Sequence, residues 1–463
     1  MHAIARWNPE DPGFWNSAGR GIAARNLWLS VPALALAFAV WMLWSVVVLH
    51  LPAAGFRYST NQLFWLTALP ALCGATLRVF YAFAVPVVGG RRFTALATAS
   101  LLVPAVGIGF AVQDPATPYE LMVVLALLCG LGGGNFASTM AHLSLLYPSA
   151  RKGTALGLSA GLGHLGIAAV QMVVPLVIGA GLFGVLGGAP QHTPQGPMWL
   201  QNAGFVWVPL IAVSALAAWF GMDDLAGTRT SFAEQAVIFT RKHNWLMCWL
   251  YLGTFGSFIG YAAGLPMLVQ NQFSGVEALP WVWLGPLLGA VLRPLGGWLA
   301  DRCGGARVTF WAFVAMALGA IAVLLSLPPQ QAAAGASTGG GGGSFAGFVA
   351  AGGLLFAAAG IGNGSTFRMI PAIFIAERTQ AAGPLPGARR QALQDGNVEA
   401  VGVLGFASAV GAYGGFFIPK GYGTSIALTG GPQAALLVNV FFYLTCIAVT
   451  WWHYSRRHAP MPC

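Results

Sequence analysis

Three observations predict an all-α integral membrane protein with twelve transmembrane helices in two pseudo-symmetric six-helix halves. The chain is nearly uncharged, it contains twelve membrane-length apolar segments, and parts of its first half recur in its second. Of 463 residues, 57% are hydrophobic and 7% charged, with mean hydropathy +0.71. A soluble chain of this length carries about 25% charged residues to cover its surface. A hydrocarbon core takes about 20 apolar residues per helix. Such segments lie near 29–51, 62–88, 93–112, 119–147, 154–182, 199–221, 245–270, 280–300, 307–327, 345–376, 397–427 and 432–454. None alternates apolar and polar residues as an outer-membrane strand does, so the spans are helical.

Taken in order, residues 1–28 form a mostly polar N-terminal segment with no visible cleavable signal peptide, and 29–221 hold the first six spans. A linker at 222–244, the most charged connection, carries Asp223, Asp224, Arg229, Glu234, Arg241 and Lys242. Residues 245–454 hold the second six spans, and 455–463 form a tail. With the N-terminus in the cytoplasm, 17 of the 22 Lys+Arg fall on that side, Arg57 and Lys420 on the other, and Arg78, Arg293 and Arg368 within helices. This is the positive-inside pattern, so both termini are expected in the cytoplasm. The net charge of +10 then reflects topology rather than a nucleic-acid partner. The six cysteines show no paired spacing, which speaks against disulfide or metal roles, and no cofactor is implied.

The repeat supports the division into halves. Gly74-Ala-Thr-Leu-Arg78 recurs 215 residues later as Gly289-Ala-Val-Leu-Arg293, and Gly89-Gly-Arg-Arg-Phe-Thr94 as Gly304-Gly-Ala-Arg-Val-Thr309. Gly130, Gly132 and Gly134 match Gly360, Gly362 and Gly364 at an offset of 230. The extra length fits an insertion in the Gly/Ser-rich loop "LPPQQAAAGASTGGGGGS". Two parallel six-helix halves are the layout of the major facilitator superfamily. The stretch Gly297-Trp-Leu-Ala-Asp-Arg-Cys-Gly-Gly-Ala-Arg307 resembles that superfamily's motif between the second and third helices of a half. It suggests a gating role in which Asp301 caps the next helix while Arg302 and Arg307 stay inside. The first copy, "VPVVGGRRFT", keeps the arginines and lacks the acid.

An arginine at the bilayer centre costs about 3 kcal/mol on insertion scales and belongs in a cavity or against a partner. The pseudo-two-fold axis would bring Arg78 and Arg293 to matching depths facing the cleft, the alternative for Arg293, eight residues before Asp301, being to snorkel to the cytoplasmic interface. Of the 12 Asp+Glu, only Glu399 sits plausibly within a span, and it is expected to pair with Arg368 near the cytoplasmic end. A role for Glu399 in proton coupling is the sharper alternative. Either way, the counter-ion for Arg78 and Arg293 is expected to be the substrate. A planar guanidinium fork among glycine-crowded helices suggests a small oxyanion.

The same residues resemble the nitrate/nitrite porter family of the major facilitator superfamily over essentially the whole chain. The resemblance runs from "PEDPGFW" and "RNLWLSVP" to "GGFFIPKGYGTSIALTG". Two glycine-rich signatures carry it: 153–166, with Gly161, Gly163 and Gly166, and 402–415, with Gly411 and Gly414. "GNFASTM" and "YLGTFGSFIG" add to it. The resemblance implies that Arg78 and Arg293 bind the anion, that Phe136 and Phe255 sandwich it, and that Tyr251 lies nearby. The substrates would be nitrate and nitrite, moved across a bacterial inner membrane by a monomeric carrier. One departure is His164, where the family usually has Asn beside the substrate; a neutral imidazole is the expected form, and a protonated one would add a third cation.

Rocker-switch alternating access follows from the two-half layout. Two repelling arginines make return easier with nitrite aboard, which favours nitrate/nitrite antiport. The alternative is nitrate/proton symport using His164 or Glu399. A small-anion channel or sensor is more remote, and the chain shows no ligand cluster for an enzyme that reduces nitrate.

Overall fold

The computed structural model describes residues 4, 6–194, 196–225, 237–273, 279–329, 343–382, 386–459, 461 and 463. Arg229 and Glu234 of the linker, and 330–342 of the Gly/Ser-rich loop, lie outside the described residues. Among the described residues twelve helices are long and apolar enough to cross a membrane: α1 Pro12–His50, α2 Thr60–Val88, α3 Gly90–Ala111, α4 Tyr119–Leu146, α5 Ser149–Val177 and α6 Asn202–Gly221 form the first half. The second half comprises α7 Lys242–Gln272, α8 Pro280–Cys303, α9 Gly305–Ser326, α10 Phe345–Ala381, α11 Gly387–Thr429 and α12 Gln433–Ser455. Among the described residues the only paired strands are β1 Gln191–Thr193 and β2 Gly196–Met198, a short antiparallel hairpin between α5 and α6.

The first helix begins at Pro12 rather than near residue 29, because Asp11 accepts a hydrogen bond from the Gly13 N–H and Pro12 supplies a preset φ at the first turn. An even number of crossings leaves both termini on one face, called here the terminal face. The first helix of each half is the most enclosed: 83% of the α1 window and 94% of the α7 window are buried, against 39% for α6 and 28% for α12. That enclosure puts α1 and α7 on the inner axis.

The repeat has a physical counterpart. A Cβ on Gly130 would lie 2.8 Å from the Gly74 nitrogen, and one on Gly360 would lie 2.3 Å from the Gly289 oxygen. So α2 crosses α4, and α8 crosses α10, with backbones in direct contact one turn from each arginine. The loops that follow agree as well: Gly89 has φ +97 and Gly304 φ +88, a turn that a side chain strains.

Candidate functional site

The site begins with the helices that are irregular. Within α7, residues Leu252–Gly256 form a π-helical turn that follows Tyr251 and carries Phe255. One residue of extra winding shifts the faces on either side of it, a common device at functional sites. The broken signature helix α11 packs there, where Gly414 and Gly256 meet so closely that a Cβ on Gly414 would lie 2.4 Å from the Gly256 Cα. Gly411 abuts the Tyr251 ring in the same crossing. In α5, a Cβ on Gly166 would lie 1.9 Å from the Ala35 oxygen and one on Gly163 would lie 2.7 Å from Leu34, so these two glycines seat α5 on α1. Gly161 faces Pro294 of α8. The signature glycines thus set helix distances around the site.

Six expected site residues converge. Arg78 is fully buried: its Nε donates to the Gly133 carbonyl at 2.7 Å and its Nη1 to the Ser408 carbonyl at 3.0 Å. Its Nη2 is buried with no hydrogen-bond partner among the described residues. The guanidinium carbon lies 4.9 Å from the ring centres of both Phe136 and Phe255 and 5.0 Å from Trp41. Cation–π contact with three rings offsets part of the cost of burying the charge. Phe136 and Phe255 stack with centroids 6.2 Å apart and planes 24° apart.

Arg293, 4% exposed, turns its Nη1 toward His164, 3.0 Å from Nδ1 and 3.2 Å from Nε2, and its Nη2 toward the Tyr251 hydroxyl at 3.4 Å. A guanidinium can only donate, so the ring nitrogen it faces accepts. The expected neutral imidazole matches this contact, whereas a protonated ring would set donor against donor. Each arginine also reaches across the halves, Arg78 from α2 to α11 and Arg293 from α8 to α5. Among the described residues neither has a carboxylate within salt-bridge distance.

A cavity of about 720 Å³ runs from Arg78 and Phe136 past Met140 and Phe367 to Ser149, Lys152 and Arg390 at the terminal face. Toward the opposite face the halves are bonded together. Gln171 donates to the Ala262 carbonyl at 2.7 Å, Gln270 to the Leu49 carbonyl at 3.1 Å, and Lys420 to Asn61 at 3.1 Å. Among the described residues the cavity thus reaches the terminal face, and the halves are joined toward the other.

The remaining expected residues lie elsewhere, and two expectations are corrected. Arg368 does not pair with Glu399; it holds Asp301 through Nε at 2.7 Å and Nη2 at 2.6 Å. Glu399 is held by Arg378 and, at 3.1 Å, by Arg241. The reason is axial distance: Arg368 and Arg378 are about 15 Å apart along α10, and Glu399 is level with Arg378. Asp301 consequently caps nothing. It is still inside α8, and the N-cap of α9 is Gly304 without a side-chain bond. Arg302 stacks on Trp298 at 4.2 Å.

The acid absent from the first copy of the Gly297–Arg307 motif is supplied by Asp224, just beyond α6. Its Oδ1 accepts from the Arg91 backbone N–H at 2.9 Å and its Oδ2 from Arg91 Nε at 3.1 Å, with Arg92 at 3.6 Å. A Cβ on Gly89 would lie 2.4 Å from that carboxylate, so the glycine leaves room for it. Sequence reasoning placed Asp224 in the linker without a partner, because its partners lie 133 residues away. It also missed Trp41, Phe367 and the carbonyls of Gly133 and Ser408. Backbone acceptors leave no side-chain signature, and one Trp in an apolar run looks like any other.

The Major Facilitator Superfamily model matches residues 29–383. The nitrate/nitrite transporter NarU of Salmonella typhimurium is 48% identical over 459 residues, 98% of this chain and 97% of the relative. NarU of Escherichia coli is 47% identical over 458 residues, again 98% and 97%. The probable nitrate/nitrite antiporter NarK2 of Thermus thermophilus is 39% identical over 469 residues, 99% and 98%. With the twelve-helix fold and these full-length relatives, the chain belongs to the nitrate/nitrite porter family of the Major Facilitator Superfamily.

Proposed function

We propose that this protein carries nitrate and nitrite across a bacterial cytoplasmic membrane by alternating access, exchanging one anion for the other, with the terminal face in the cytoplasm. The observation that carries the reading is the pair of buried arginines without a carboxylate partner among the described residues, beside two stacked phenyl rings, with Arg78, whose Nη2 is unpaired there, and Phe136 lining the head of a cavity. Nitrate is flat, singly charged and weakly hydrated. Guanidinium forks supply its charge and donors, and aromatic faces replace its water.

Ring spacing links binding to movement. A flat ion between two rings needs two contact distances of about 3.5–4.0 Å each. At 6.2 Å the rings must part by roughly 1 Å or more, and they belong to opposite halves. Loading therefore moves α4 against α7, which is the motion alternating access requires. Arg78 keeps an unpaired donor without an anion, so the loaded carrier reorients more easily than the unloaded one. Proton symport finds less support: Glu399 is engaged by two arginines, and His164 already accepts from Arg293.

The test is nitrate influx into proteoliposomes with and without internal nitrite, at two pH values. Exchange expects internal nitrite to accelerate entry. Uptake that ignores internal nitrite and follows a pH gradient would sink the exchange reading.

A further inference from the structure

His164 has a geometry unlike that of the other residues around the arginines. Its ring is almost parallel to both phenyls, 12° from Phe136 at 6.1 Å and 20° from Phe255 at 5.5 Å. Phe38 meets it edge-on at 4.7 Å and Phe258 packs at 5.3 Å. It is 1% exposed, and the close α1–α5 contact at Gly163 and Gly166 holds its helix in place. At its edge the ring nitrogens face Arg293 Nη1 at 3.0 and 3.2 Å. A flat, aromatic-stacked group that accepts from the guanidinium is a description of the imidazole and equally of a bound planar oxyanion. The contact also joins the halves, α5 to α8, as a shared anion would.

We propose that His164 is a built-in substitute for the substrate at Arg293. Its neutral ring accepts the hydrogen bond that the oxyanion accepts, and an arriving anion displaces it. Between loads, Arg293 Nη1 keeps an acceptor, whereas Arg78 Nη2 has none among the described residues. Two consequences follow: the anion binds more weakly than the two arginines alone would allow, and the unloaded carrier reorients more readily than in a porter without this acceptor. Exchange still outpaces net uptake, but by a smaller ratio. The proposal rests on the anion-site reading given above.

The experiment compares the full-length wild-type protein with His164→Phe, His164→Leu and His164→Gln. Nitrate Kd is measured by calorimetry in detergent, and nitrate uptake is measured with and without internal nitrite in proteoliposomes. Phe keeps a flat ring without an acceptor, Leu is a second acceptor-free variant should Phe fail to assemble, and Gln restores a carbonyl acceptor. The acceptor-free variants are expected to bind nitrate roughly tenfold or more tightly and to show a larger exchange-to-net ratio, with Gln returning both toward wild type. Nitrate binding that weakens or stays unchanged in Phe and Leu overturns the substitute role. Arg293→Lys separates that failure from failure of the site: if Lys leaves nitrate affinity intact, the anion site itself is wrong.

Discussion

Replacing Arg78 with lysine tests the anion site with the charge kept. The guanidinium engages two carbonyls, Gly133 at 2.7 Å and Ser408 at 3.0 Å, and has Nη2 left over. A lysine ammonium is a single point on a flexible stem and cannot satisfy two carbonyls in different halves while also meeting an oxyanion. At least one charge-assisted hydrogen bond is lost, about 1.5–3 kcal/mol. That corresponds to roughly a ten- to 150-fold rise in nitrate Kd. Calorimetry on purified protein measures it, and thermal unfolding in the same detergent checks that the variant is folded. A folded Arg78→Lys protein whose nitrate affinity stays within about threefold of wild type would refute the reasoning, since a point charge would then suffice.

Other outcomes follow from the same structure. Gly414→Ala pushes a methyl into the Gly256 backbone and is expected to destabilise the protein by about 1–3 kcal/mol, read as a lower unfolding temperature. Gly157→Ala meets nothing within 4 Å and should stabilise α5 by about 0.5–1 kcal/mol in the same assay. Asp224→Asn leaves the largely buried Arg91 without its carboxylate, and a loss of about 1.5–3 kcal/mol in stability is expected with nitrate Kd unchanged. A shifted Kd in that variant would tie the turn between α2 and α3 to the proposed anion site.

Much was legible in the chain because the bilayer constrains it so heavily. Helix number follows from apolar length, and the equivalent positions of Arg78 and Arg293 in α2 and α8 follow from an exact repeat of spacing. Their lack of acid partners could be anticipated because so few acids lie in the spans. The charge pairs were less legible. Sequence reasoning paired Arg368 with Glu399, and the pairing with Asp301 instead depends on which residues of α8 and α11 lie level with Arg368 along α10.

By itself, then, the sequence determined what must be inside the membrane and what must be neutralised there: twelve helices, two buried cations, and too few acids to match them. Tertiary structure alone decided which atoms do the matching. The carbonyls of Gly133 and Ser408, the Trp41 face, the Asp224 carboxylate and the His164 ring reach their partners only through helix crossings. Burial cost is set by composition and length, whereas hydrogen bonding is set by sub-ångström placement between residues more than a hundred positions apart in some cases.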